Sequence, residues 1–204
     1  MSIVLQAGAD PDVDRVWGVA SSRDAAAARV AAAMVPGATV LPLTTFVEAS
    51  VYPVVVWDRK ALTSRLAGLV APAVTTDRVR TLLEDQVPSV LRMAAMIGVG
   101  APTRTRRSLR PLRSLSRTIA LFPVFPRRSP LIAEECDAQG SALVVCDGGP
   151  VQVHVGGDAG VRAGSALSPL WRRVYEERLF AWAIRSDALP FDSAPVEGFH
   201  PRPE

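Results

Sequence analysis

The stretch ALVVCDGGPVQVHV, Ala142 to Val155, decides how this chain is read as a fold. Two runs rich in valine flank Asp147-Gly148-Gly149-Pro150, a turn signal of the kind that joins antiparallel strands. Along the second run Val151, Val153 and Val155 fall on one side and Gln152 and His154 on the other. That is the alternation of a strand with one dry and one wet face. A hairpin here commits the chain to a sheet with antiparallel pairing.

C-terminal to the hairpin, the glycine-rich segment Gly156 to Gly164 reads as a loop. Ser168 and Pro169 then supply an N-cap and a first helical residue. The helix they open, Leu170 to about Ser186, gathers Leu170, Trp171, Val174, Tyr175, Ala181 and Trp182 into one stripe. Arg178 and Arg185 fall in the same stripe, and their stems are expected to carry the charges out to water. From Asp187 onward, four prolines and no periodicity mark a Pro-rich tail over 187–204.

N-terminal to the hairpin, Leu131 to Cys136 reads as a strand. Val51 to Trp57, VYPVVVW, is the most β-like run, and Pro53 places it at an edge or starts it after the proline. Asp58 caps a helix running from Arg59 to about Val70. Thr75 or Thr76 opens another, with Val79, Leu82 and Leu83 turned inward. Pro88 kinks or restarts that helix, and its continuation from Ser89 to Ile97 is apolar nearly all round. Such a segment is expected to be buried, the alternative being a surface that meets a partner.

Nearer the start, Arg15 to Ala20 reads as a short strand. Ser21 or Ser22 caps the alanine-rich helix that follows, with Ser21 and Asp24 in capping-box spacing. Pro36-Gly37 ends it and Ala38 to Leu43 returns as a strand. The serine junction is expected to be a plain cap rather than an anion site on helix amides. These elements predict one α+β domain over 1–204, a mainly antiparallel or mixed sheet of about five or six strands with helices packed on one face.

Apolar residues make up 49% of the 204, enough for a buried core, so wholesale disorder is excluded. Arginine outnumbers lysine 22 to 1, a bias that weakens any case for each guanidinium having been chosen for its geometry. The N-terminal residues carry Asp10, Asp12 and Asp14 and no basic leader, and no apolar run is long enough to span a bilayer. Two cysteines, Cys136 and Cys146, make no disulfide framework. A cytoplasmic protein without a transmembrane segment is expected.

The charge is polarised. Net charge is only +3, yet residues 103–128 carry eight arginines, and no acid occurs between Asp85 and Glu134. Prolines punctuate this Arg/Pro-rich segment, 102–130, so it reads as an insertion or loop. A short amphipathic helix over Leu109 to Leu121 would set Leu109, Leu112, Leu115 and Ile119 against Arg106, Arg110, Arg113 and Arg117.

Catalytic chemistry is thinly represented. His154 could serve a cysteine as base, but cysteines in strands usually pack as small hydrophobes. Zinc-ligand spacing is lacking, and neither a metal nor a cofactor is expected. The neighbouring acids Glu84-Asp85, Glu134-Glu135 and Glu176-Glu177 read as solvated faces or salt-bridge partners. Glu48, alone in an apolar stretch, is the one acid that burial could perturb, but a capped or loop-exposed position is expected of it. His154, Glu48 and Arg178 are the weak candidates for a pocket.

The function expected is therefore a non-enzymatic binding or accessory protein that docks a protein partner. Arg104, Arg106, Arg107, Arg110, Arg113, Arg117, Arg127 and Arg128, with the neighbouring apolar helix, would form the docking surface. The alternative is a nucleic-acid-binding regulator using the same arginines on phosphates, and a further one is an enzyme whose pocket holds His154, Glu48 or a cysteine. The sequence sets no oligomeric state.

Overall fold

A computed structural model describes residues 5, 11–18, 20–46, 48–126, 129–158 and 168–190. Its central strand is β4 (Leu91–Val99), which pairs antiparallel with β3 (Ala49–Trp57) on one side and parallel with β5 (Arg117–Phe122) on the other. Outside β3 lie two short strands, β1 (Thr39–Val40) and β2 (Thr44–Phe46), both antiparallel to it. Beyond β5 come β6 (Ala142–Val145), parallel, and β7 (Gln152–Val155), antiparallel. The protein is thus α+β, and its described residues form a mixed sheet of seven strands.

The hairpin stands where the sequence puts it, as β6 and β7. The dry face expected of its second arm does not. Gln152, Val153 and His154 are all exposed, because β7 is the last strand of the sheet.

The run from Ser89 to Ile97 is not a helix but most of β4. Below a bulge at Ala94, Leu91 and Met93 enter one core; above it, Ala95, Ile97 and Val99 enter the other. A strand buried on both faces shows no period, and an apolar run of that kind imitates a buried helix. The same confusion in reverse applies to Leu131–Cys136, which lies in helix α6 (Ser129–Ala138).

The arginine segment does not form one amphipathic helix. It breaks into helix α5 (Pro102–Leu109), a 3₁₀ turn (Arg110–Ser114) and β5. Pro111 lies within the 3₁₀ turn, and β-branched Thr118 and Ile119 favour strand after it.

Arg15 to Ala20 is not a strand either. Helix α1 (Pro11–Trp17) ends at Gly18, whose φ of 70° a glycine adopts at no steric cost. Helix α2 (Ala20–Met34) then begins before Ser21 and Ser22, which therefore sit in its first turn rather than capping it.

Most helices cover one face. Leu62 of α3 (Arg59–Ala67), Leu109 of α5, Cys136 of α6 and Phe180 of α7 (Pro169–Arg185) pack there with Val51, Val55, Met96 and Phe122. Helix α4 (Thr76–Glu84) lies outside them, its Val79 against Val174 of α7. Helices α1 and α2 add a second layer on the opposite face, packing Val13, Trp17, Ala27 and Val30 over Tyr52, Ile97, Leu121 and Val144. At Gly98 the first layer lies close, since a Cβ there would lie 2.9 Å from Thr105 and 3.0 Å from Leu109 of α5.

Two caps, at α3 and α7, are as the sequence specifies. Asp58 accepts the Ala61 N–H at 2.9 Å, and Ser168 accepts that of Trp171 at 3.4 Å, with Pro169 next in chain. Across the second core Arg23 donates to the Tyr52 hydroxyl and pairs with Asp14, while Tyr52 donates to Asp24. Burial, foremost, and the Asp24 bond push the phenol well above its usual titration range.

Candidate functional site

The sheet has a notch. Strand β5 begins beside Ala95, so among the described residues no strand pairs with the first residues of β4, Leu91 to Ala94, on the side away from β3. Before β5 the chain drops toward the first core, with Leu115 buried there. The space left is a cleft of ≈ 840 Å³ bounded by the end of β3, the start of β4 and Leu115 to Arg117.

Backbone alternation decides what faces it. Val90 turns its carbonyl to β3, accepting from Asp58 N at 2.9 Å. Leu91 therefore turns its backbone groups toward the notch, where its carbonyl accepts from Ser89 Oγ at 2.7 Å. The Ala94 bulge then re-aims the strand, and bulges commonly stand beside functional sites.

Arginines reach the cleft from four elements: Arg59 from α3, Arg92 from β4, Arg117 from β5 and Arg172 from α7. Arg92 alternates with core-facing Leu91 and Met93, so it lies on the α2 side of the sheet. Arg117 is on that side too, donating to Met34 O at 3.1 Å and Gly156 O at 2.7 Å. Arg172 comes from the other side, where Trp57 packs against the first core.

Two acids line the same cleft. Asp58 is engaged as the helix cap. Glu176 is 7% exposed, and its burial pushes the carboxyl upward in pKa, against the opposing pull of Ser89, Arg173 and Arg172. Burial disfavours the charged form of a carboxyl, and four arginines stand in the cleft lining against two acids.

Helix α7 is fixed over the notch by a buried ionic network. Arg65 donates to both carboxylate oxygens of Glu177, at 3.1 and 3.0 Å. Arg173 donates to the same carboxylate at 3.0 Å, and the Ala73 N–H at 2.9 Å. The two guanidinium groups also donate to Val70 O at 3.4 Å, Ala71 O at 3.1 Å and Pro88 O at 2.9 Å. Glu177 is therefore a structural carboxylate, and its neighbours Arg172 and Glu176 face the cleft.

The arginines named from sequence are dispersed. Among those described, only Arg117 reaches the notch. Arg106 is paired with Glu135 of α6, and Arg113 with Asp158 at 3.7 Å. Arg104, Arg107 and Arg110 are exposed along α5 and the 3₁₀ turn, while Arg127 and Arg128 lie outside the described residues. The apolar segment meant to accompany them is β4, in the core.

The weaker candidates do not converge. His154 is exposed on β7, its ring 4.0 Å from that of Phe125. Glu48 is exposed in the turn between β2 and β3 at a φ of 65°. Arg178 is half-buried on α7, where desolvation lowers its pKa against the opposing influence of Tyr175. Cys136 and Cys146 are buried thiols. Among the described residues no group of His, Cys, Asp and Glu is placed to hold a metal ion, and no helix is long and apolar enough to cross a membrane.

Sequence reading missed Trp57, Arg59, Arg92, Arg172 and Glu176. One signal was present: Arg92 is the lone charge in the apolar run from Val87 to Ala101. Compared with protein families, curated proteins and solved structures, the chain matches none.

Proposed function

We propose that this chain is a binding protein whose ligand is an anion seated in the notch. One observation carries the reading: Arg59, Arg92, Arg117 and Arg172 meet at one cleft where they outnumber the acids, Asp58 and Glu176, and Asp58 is engaged as a helix cap. Low-dielectric walls lined by one sign of charge concentrate counter-ions of the other. Citrate and pyrophosphate are the simplest probes. Isothermal titration at low salt is expected to show both binding, more weakly as salt rises, and neither binding to the Arg92→Gln/Arg172→Gln variant. A folded wild-type protein that takes up no anion, or a double variant that binds as well as wild type, overturns the reading.

A second reading rests on the exposure of Arg104, Arg107 and Arg110 along α5 and the 3₁₀ turn. A nucleic-acid backbone would meet them as phosphate contacts, with affinity falling steeply with salt. Replacing the three together by glutamine tests this without touching the notch. Retention of an oligonucleotide by that triple variant rules it out.

A further inference from the structure

The notch is basic, and it is also an unfinished strand position. An open strand edge presents backbone donors and acceptors that a second chain can satisfy. Among the described residues no strand accompanies Leu91 to Ala94, about 13 Å of β4, a length that matches three or four extended residues. We propose that the ligand is an extended acidic peptide that lies beside β4 as an added strand and sets its carboxylates on the arginines. This rests on the anion-binding reading above and names the ligand of that same site.

Three features select a peptide over a simple organic acid. First, the Leu91 N–H faces the notch, an anchor that a peptide carbonyl matches and a carboxylate alone does not require. Second, the arginines stand on both sides of the sheet plane: Arg92 and Arg117 on the α2 side, Arg172 on the α7 side. An extended peptide alternates its side chains between the two sides, so acidic groups of both orientations find a cation. Third, apolar surface of Val56, Trp57 and Met93 lines the cleft between the charges, suited to an aliphatic side chain next to an acidic one. Strand addition draws its affinity from main-chain hydrogen bonds and its specificity from the pockets beside them.

The test uses the full chain and a fluorescein-labelled tetrapeptide, Val-Glu-Glu-Val with a free carboxy terminus, whose adjacent glutamates point to opposite sides of the sheet when extended. It is compared with the same peptide N-methylated at its two central amides, and with citrate as a competitor. The lesion is in the ligand, so folding of the protein is not at issue. Tight binding of the parent, with a loss of roughly tenfold or more on N-methylation from the missing main-chain bonds, supports the added strand. Equal binding of the methylated peptide overturns it, as does citrate binding while the peptide does not; in both cases the basic cleft stands. If neither peptide nor citrate binds, both readings fall. An oligonucleotide that displaces the peptide from wild type but not from the Arg104, Arg107 and Arg110 triple variant would reflect the α5 surface and leave the strand site supported. Displacement from both proteins at lower concentration than the peptide's own overturns the peptide as ligand.

Discussion

Arg65 and Glu177, 112 residues apart in sequence, form a two-pronged ion pair with N···O distances of 3.1 and 3.0 Å. Both side chains are almost fully enclosed, so the pair lies where water can neither screen nor replace it. It ties α3 to α7, and through α7 it sets Arg172 and Glu176 at the rim of the notch.

Truncating Glu177 to alanine leaves Arg65 and Arg173 buried without their shared carboxylate. The expected loss is about 3–5 kcal/mol, the usual cost of stranding a buried charge. Urea unfolding checks it; a midpoint within error of wild type would mean that water reaches the network.

Gly98 lets α5 lie close against the sheet. A side chain there meets Thr105 at 2.9 Å and Leu109 at 3.0 Å. Gly98→Val is expected to cost about 1–3 kcal/mol by overpacking, with partial recovery when Leu109→Ala makes room. Thermal melts of the single and double variants measure both.

Glu176 gives the protein a pH dependence of definite sign. Its folded pKa is raised, first by burial, so the folded state holds this proton more tightly than the unfolded chain. The stability it contributes is complete below the unfolded pKa of about 4.3 and is lost as pH rises through the higher folded value. Glu176→Gln, which cannot ionise, is expected to be more stable than wild type at neutral pH, with the difference shrinking in acid. Parallel pH profiles of the two urea midpoints would show that Glu176 ionises in the fold as it does unfolded.

Trp57 lines the cleft, whereas Trp17 and Trp182 are buried in the two cores and Trp171 is exposed at the start of α7. Ligand binding is expected to change tryptophan emission, and Trp57→Phe to abolish the change while calorimetry still records binding. A full emission change in that variant would place the ligand elsewhere.

Cys136 and Cys146 have at most 1% of their surface exposed, and burial pushes the Cys136 thiol up in pKa, opposed by nearby Arg106. Neither is expected to react with a thiol reagent in the native state, and both should react in urea. Native labelling faster than global unfolding would show local opening of α6 or of the β6–β7 turn.

What the sequence determined is what neighbouring residues determine among themselves. Asp58, Ser168 with Pro169, and the Asp147–Pro150 turn act over three or four residues, so the starts of α3 and α7 and the hairpin are readable without the rest of the molecule. The pattern breaks down where burial is two-sided or punctuation is ambiguous. β4 read as helix because both its faces are dry, α6 as strand because the six residues Leu131 to Cys136 are too few to show a helical period, and α1 as strand because Val16 and Trp17 outweighed the stop signal at Gly18. Tertiary structure alone decided the site. Arg59, Arg92, Arg117 and Arg172 come from four separate elements, and they meet because β5 starts four residues late beside β4 and because Glu177 finds Arg65 from the far end of the chain. Charge density along the chain pointed to α5, where Arg106 is spent on Glu135. Electrostatic potential depends on distance in space rather than in sequence, and only the folded sheet sets those distances.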